Sequence, residues 1–213
     1  MATKLIFFVR HGQTANNALG VKQGETGGLS ELGRSQALAT AKRFPQGKGR
    51  PQIIIASPFE RTRETAEIIS KEIGVSVEVS DLLKERRNPS QIIGHSRHEK
   101  DIKEIIDRMD NSFHDDNFRI SDEENFEDLK NRAKKLLKFI KHRSEKRIIM
   151  VSHGFFLKMI FAYMTYGERL TASAYNTLSY FNPVNNASMA ICQFKSHIFR
   201  RDEWNILVWN DLA

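Results

Sequence analysis

The sequence predicts an α/β protein with a mostly parallel sheet covered by helices on both faces. Two observations lead there. Short apolar runs such as LIFFV and IIIA are near-continuous rather than alternating, as in strands buried on both faces. Stretches with helical apolar spacing separate these runs, the order that builds parallel sheets.

The elements follow in order. Residues 4–9 (KLIFFV) read as a central strand, and residues 12–30, rich in Gly, Asn, Gln and Thr, as a loop. A helix is predicted after Ser30, with Leu32, Ala37, Leu38, Ala41 and Phe44 on its apolar side and Pro45 ending it. Residues 52–56 supply a second strand. In the SPFE that follows, Ser57 is placed as N-cap, Pro58 at the first helical position and Glu60 as the far half of a capping box. That helix runs to about residue 73, and residues 75–79 make a third short strand. From 85 to 125 the rhythm breaks. The stretch is polar, carries one helix expected over 99–109, and ends in the acidic HDDNFRISDEEN. It reads as a cap-like insertion, about 86–125, in a single domain spanning 1–213. A long amphipathic helix comes next, with Phe126, Leu129, Ala133, Leu136, Leu137 and Ile140 on one face. Residues 147–151 form another buried strand and 155–164 an apolar helix. The tail adds strands near 189–194 and 204–209, the last closing on an Asn-Asp turn.

With 40% hydrophobic and 28% charged residues, the composition is that of a soluble globular protein. No apolar run approaches the roughly 20 residues that span a bilayer, and LIFFV is too short for a signal-peptide core. No membrane partner and a cytoplasmic location are therefore expected. Cys192 is the only cysteine, so no internal disulfide forms, and its strand-like surroundings predict a buried structural thiol. The net charge of +7 raises nucleic-acid binding. The basic residues are spread along the chain, however, without a nucleic-acid-binding pattern, so no nucleic-acid partner is expected. A protein that handles anionic phosphates accounts for the sign equally well.

Two histidines follow two buried strands directly: His11 in VRHGQT and His153 in VSHG. If the strands are parallel, both imidazoles leave the same edge of the sheet, where ligands bind in such folds. Gly12 and Gly154 give the backbone room behind them, and His153 opens a helix whose N-terminus favours an anion. Arg10 lies beside His11, and Arg61 in the first turn of the helix after the second strand. Two guanidiniums and two imidazoles converging from separate segments suit a phosphoryl group. Each residue also has a plainer reading. A strand-end histidine is often structural, and Arg61 alone is a solvated residue paired with Glu60 or Glu64. His95 and His98 with His114, Asp115 and Asp116 can be drawn as a metal site, but no second ligand pair has suitable spacing, and a solvated cap is the better reading. No metal is expected.

VRHGQTANN, GGLSELGRSQA, SPFERTRETAE, LLKE and VSHG, in this order, resemble the histidine phosphatase superfamily, also called the phosphoglycerate mutase-like family. The resemblance implies a three-layer α/β/α sandwich around a mostly parallel sheet. It implies that His11 is the nucleophile that becomes phosphorylated, that Arg10, Arg61 and His153 bind the phosphoryl oxygens, and that Glu85 protonates the leaving group and later assists water. Asn17, Gln23 and Gly24 match positions lining the substrate pocket. Gly154 belongs with His153 at the site, and Arg86 is placed to grip a second acidic group or to serve a plain surface role. The chemistry implied needs no metal and no cofactor. The length of the 86–125 insertion suggests a capped pocket for a small phosphorylated metabolite. Glycolytic mutases of the family show a tyrosine-glycine pair shortly after the acid, where this chain has Arg86-Arg87-Asn88-Pro89. That departure favours hydrolysis over mutase activity. A phosphoprotein phosphatase and an inactive anion-binding module are the other readings. Apolar residues on the tail strands leave a homodimer open.

Overall fold

In the computed structural model, which describes residues 3–112, 115, 117–197 and 202–213, the apolar runs become strands. They are β1 (Thr3–Arg10), β2 (Ile53–Ala56), β3 (Val77–Val79), β4 (Arg147–Ser152), β5 (Met189–Lys195) and β6 (Glu203–Asp211). They form one sheet in the order β3-β2-β4-β1-β5-β6. The pairings β3–β2, β2–β4 and β4–β1 are parallel, whereas β5 runs antiparallel to both β1 and β6. The helices are α1 (Ala15–Leu19), α2 (Glu31–Ala41), α3 (Glu60–Ile73), α4 (Lys100–Ser112), α5 (Phe126–His142), α6 (Gly154–Tyr166) and α7 (Ala172–Phe181).

The continuous apolar runs have a direct explanation in packing. Along β1, Ile6 and Phe8 face one side of the sheet with Met150 of β4, against Leu129, Leu136 and Ile140 of α5 and Phe156 and Ile160 of α6. Phe7 and Val9 face the other side with Ile149 and Val151, against Ala41, Ala66, Ile69 and Ile73 of α2 and α3. Because successive side chains point to opposite faces, a strand between two helical layers needs apolar residues at every position. The three-layer sandwich is the observed architecture.

Several local expectations are corrected. Leu32 and Leu38 are 53% and 39% exposed instead of lying on the buried face of α2. That face consists of Gly33, Ala37, Thr40 and Ala41. A Cβ on Gly33 would fall 2.0 Å from the Gln13 carbonyl oxygen, and one on Gly12 would fall 2.4 Å from the Gly33 oxygen. Backbone meets backbone there, so only small side chains fit and the leucines turn outward. The expected capping box of α3 does not form. Phe59 occupies the cap position without a side-chain bond, because Ser57 Oγ lies against His153 and Glu60 accepts from the Gly27 N–H. The 12–30 loop contains a short helix, α1, capped by Thr14.

α7 has no counterpart in the sequence reading, because residues 172–181 carry Ser, Asn and Thr that blur the apolar period. The expected Asn-Asp turn lies within β6, with Asn210 at φ 48° and its Oδ1 accepting from Asn185 N–H. The amphipathic helix is α5, held at its start by a reciprocal Asn125–Asp128 capping box. Among the described residues, no helix is long and apolar enough to cross a membrane.

Candidate active site

Parallel pairing of β1 with β4 places Arg10 opposite Ser152. The next residue on each strand is a histidine. The His11 N–H donates to the Ser152 carbonyl at 3.0 Å, and the two imidazole centroids lie 5.2 Å apart. Both rings are buried. His11 Nδ1 sits 2.7 Å from the Gly12 carbonyl oxygen. A carbonyl only accepts, so Nδ1 carries the hydrogen and Nε2 keeps its lone pair. His153 presents Nε2 to Ser57 Oγ at 2.9 Å, and its Nδ1 is buried without a hydrogen-bond partner among the described residues.

Two guanidiniums complete the centre. Arg10 donates through Nη1 to the Val184 carbonyl at 2.7 Å, while its Nε is buried and unpaired among the described residues. Gly154 leaves the room Arg10 needs, since a Cβ there would come within 3.2 Å of Arg10 Nε. Arg61, the second residue of α3, is 3% exposed, donates to the Gly24 carbonyl at 2.7 Å and lies 5.0 Å from the Phe59 ring centroid. Burial pulls Arg61 down to about 10 and lowers Arg10 as well, with Glu85 opposing in both. Burial, followed by Arg10 and Arg61, drives His11 well below its ordinary value. His153 is lowered in the same way, by burial first and then by Arg61 and His11. The site therefore holds one buried and one half-buried guanidinium and neutral imidazoles with unused donors, the electrostatic form of an anion cradle.

A family model, the histidine phosphatase superfamily (branch 1), matches residues 6–211. The chain belongs to the histidine phosphatase superfamily. It is 30% identical over 213 residues to a metal-independent phosphoserine phosphatase of Arabidopsis thaliana, covering 98% of this chain and 82% of that protein. It is 31% identical over 158 residues to a probable phosphoglycerate mutase of Photorhabdus laumondii, covering 70% and 69% of the two chains. Among solved structures, a mycobacterial glucosyl-3-phosphoglycerate phosphatase in complex with VO3 superposes with a TM-score of 0.77 at 25% identity, covering 98% and 99%.

In this superfamily member, Glu85 stands at the N-terminus of α6. Its Oε1 accepts from the Arg86 and Phe156 N–H groups at 2.9 and 3.0 Å, and its Oε2 from the Phe155 N–H at 3.3 Å. Glu85 thus turns inward through backbone donors. A cavity of about 460 Å³ opens before His11, with Arg10, Arg61, Glu85, Asn17 and Arg86 in its wall. Arg86 is buried, its guanidinium 4.8 Å from the Phe155 ring centroid.

Gln23 also lines the cavity, but its side chain is engaged by Thr14 Oγ1 and by the Thr26 and Gly27 carbonyls. Gly24 lines a neighbouring cleft of about 960 Å³ and contributes the carbonyl that seats Arg61. Neither Glu60 nor Glu64 pairs with Arg61. Glu64 pairs with Arg34 at 2.6 Å and both acids hold the 27–29 backbone. His95 pairs with Glu99 in the turn that precedes α4, and His114 and Asp116 lie outside the described residues. No group of three metal-ligating side chains occurs among the described residues.

Lys22, Arg97, Asp110 and Asn186 line the cavity as well, and the first three had no signal in the sequence. Asn186 Nδ2 donates to the His11 carbonyl and to Asn17 Oδ1. It falls in the NNAS before β5, a segment whose approach to His11 is set by antiparallel pairing across the sheet.

The depressed imidazoles have a consequence for stability. Histidines of the unfolded chain titrate near 6.5, while His11 and His153 bind protons more weakly when folded. Below about pH 6.5 the unfolded state therefore holds more protons, and stability, complete above that value, is lost as the pH falls. Thermal melts are expected to show a lower Tm at about pH 5.5 than at about pH 7.5. The difference should shrink in a His11→Gln variant. An equal difference in the variant would remove His11 as its source.

Proposed function

We propose that this chain hydrolyses small phosphomonoesters through a phosphohistidine intermediate on His11. One observation carries the reading: a buried neutral imidazole with a free Nε2, in the field of the Arg10 and Arg61 guanidiniums and beside the unpaired donors Arg10 Nε and His153 Nδ1. Ser57 Oγ accepts from Phe59 N–H at 3.4 Å and has its own hydrogen to give to His153 Nε2; with that hydrogen given, the imidazole hydrogen is on Nδ1, available to a phosphoryl oxygen.

In the first step the Nε2 lone pair attacks phosphorus and the ester P–O bond breaks. Arg10, Arg61 and His153 hold the equatorial oxygens, where charge must be stabilised. Glu85, carrying a proton, gives it to the leaving oxygen. In the second step Glu85 takes a proton from water, the water oxygen attacks phosphorus, and the P–N bond breaks to release phosphate and neutral His11. The covalent route splits one hard displacement into two easier ones. The relatives point to acidic metabolites, since the phosphoserine and glucosyl-3-phosphoglycerate named for them both bear a carboxylate besides the phosphate.

The test is to incubate the protein in EDTA with a radiolabelled phosphomonoester and quench in alkali. Phosphate release, together with an acid-labile, alkali-stable label mapped to the His11 peptide, supports the reading. Turnover without any label on that peptide, or no turnover at all, sinks it.

A further inference from the structure

Besides the residues assigned to the phosphoryl group, the cavity before His11 carries charges of both signs. Its wall holds three more cations, Lys22, Arg86 and Arg97, and one acid other than Glu85, namely Asp110. Arg86 is buried, Lys22 is half-buried and Arg97 is exposed at the rim. Arg86 is 8% exposed and stacked on Phe155. Lys22 and Arg97 sit on two segments laced together by backbone: Lys22 N–H donates to His95, Gly94 N–H to Lys22, and Arg97 N–H to Gly20, around a Val21–Ser96 bridge. Burial lowers both Lys22 and Arg86 from their ordinary values, and Asp110 acts in the opposite sense on each.

Asp110 is thus electrostatically coupled to both cations, yet among the described residues its carboxylate makes no hydrogen bond or ion pair. It also stands in the last turn of α4, where the carbonyl end of a helix disfavours a carboxylate. Its neighbour Met109 anchors that turn in a small core with Ile92 and Ile102. The acid is exposed on the rim of a cationic cavity, and among the described residues its carboxylate makes no bond within its own helix.

We propose that the substrate is an amino-acid phosphomonoester whose carboxylate is taken by Arg86 with Lys22 and Arg97, and whose ammonium is taken by Asp110. The proposal rests on the phosphatase reading above and adds the other end of the substrate to it. A guanidinium fork matches a carboxylate. An ammonium entering a pocket of five cations needs a negative partner, and Asp110 is the acid left for it. A site built for a charged group discriminates against an analogue that lacks it.

Four esters separate the parts: phosphoserine, phosphoethanolamine without the carboxylate, the phosphate ester of hydroxypropionate without the ammonium, and phosphoserine inside an end-blocked peptide with neither charge. A generic aryl phosphate serves as control. Phosphoserine is expected to exceed each of the other three in kcat/KM by about tenfold or more, chiefly through KM. Asp110→Asn is expected to lower the ratio of phosphoserine to hydroxypropionate phosphate by about tenfold. Turnover of the aryl phosphate with equal kcat/KM for phosphoserine and the deaminated ester overturns the proposal alone. An unchanged ratio in Asp110→Asn does the same. No turnover of any ester, aryl phosphate included, overturns the phosphatase reading and this proposal with it.

Discussion

His11→Ala is expected to lower kcat for phosphomonoester hydrolysis by on the order of 10⁴ to 10⁶, the scale on which removing a covalent nucleophile acts. The loss is chemical, since little else depends on the side chain. Its hydrogen bond from Nδ1 goes to the carbonyl of the next residue. The backbone links that tie this turn to β4 and to the β5 entry, His11 N–H to Ser152 and Ala187 N–H to the His11 carbonyl, remain in the variant. Circular dichroism and Tm near those of the parent should accompany the loss of rate on an aryl phosphate. A variant that is folded and retains more than a small fraction of the parent rate would show that phosphorus is attacked by another group.

Arg61→Ala should reduce kcat/KM by about 10³, the effect of losing a guanidinium that stabilises charge on a transferring phosphoryl group. Arg61 approaches that task from a prepared position, buried, seated on the Gly24 carbonyl and against the Phe59 ring. The loop it touches keeps other ties to α3, from Glu60 to the Gly27 N–H and from Glu64 to the Leu29 N–H. The loop should therefore hold its place without Arg61. Arg61→Lys is expected to recover little, because a single ammonium cannot reproduce the planar fork. Weaker inhibition by inorganic phosphate in both variants would locate the loss at phosphoryl binding. A loss smaller than tenfold in Arg61→Ala would remove this residue from the centre.

The two histidines were legible because their signal is local. Each follows an apolar run directly, and a run buried on both faces belongs to an interior strand of a sheet with helices on both sides. The position of Arg61 was legible for the same reason, one turn after β2. Ser57 was misread. Its setting in SPFE is that of a helix cap, but in the fold the hydroxyl meets His153, a residue 96 positions away. Lys22, Arg97 and Asp110 gave no warning, because they lie on a loop and in the insertion, where periodicity carries no information. Leu32 and Leu38 misled for the converse reason. Their spacing is helical, yet the approach of Gly33 to the Gln13 backbone turned them to solvent.

The layered α/β plan and the strand-end placing of His11 and His153 are written in the spacing of neighbouring residues, and so were legible before any fold. The tertiary structure decided which nitrogen of His11 is free, how Glu85 is held, and which charges share the cavity beyond the phosphoryl site. Those depend on contacts between segments tens of residues apart, whose meeting is fixed by the packing of whole layers and not by local spacing.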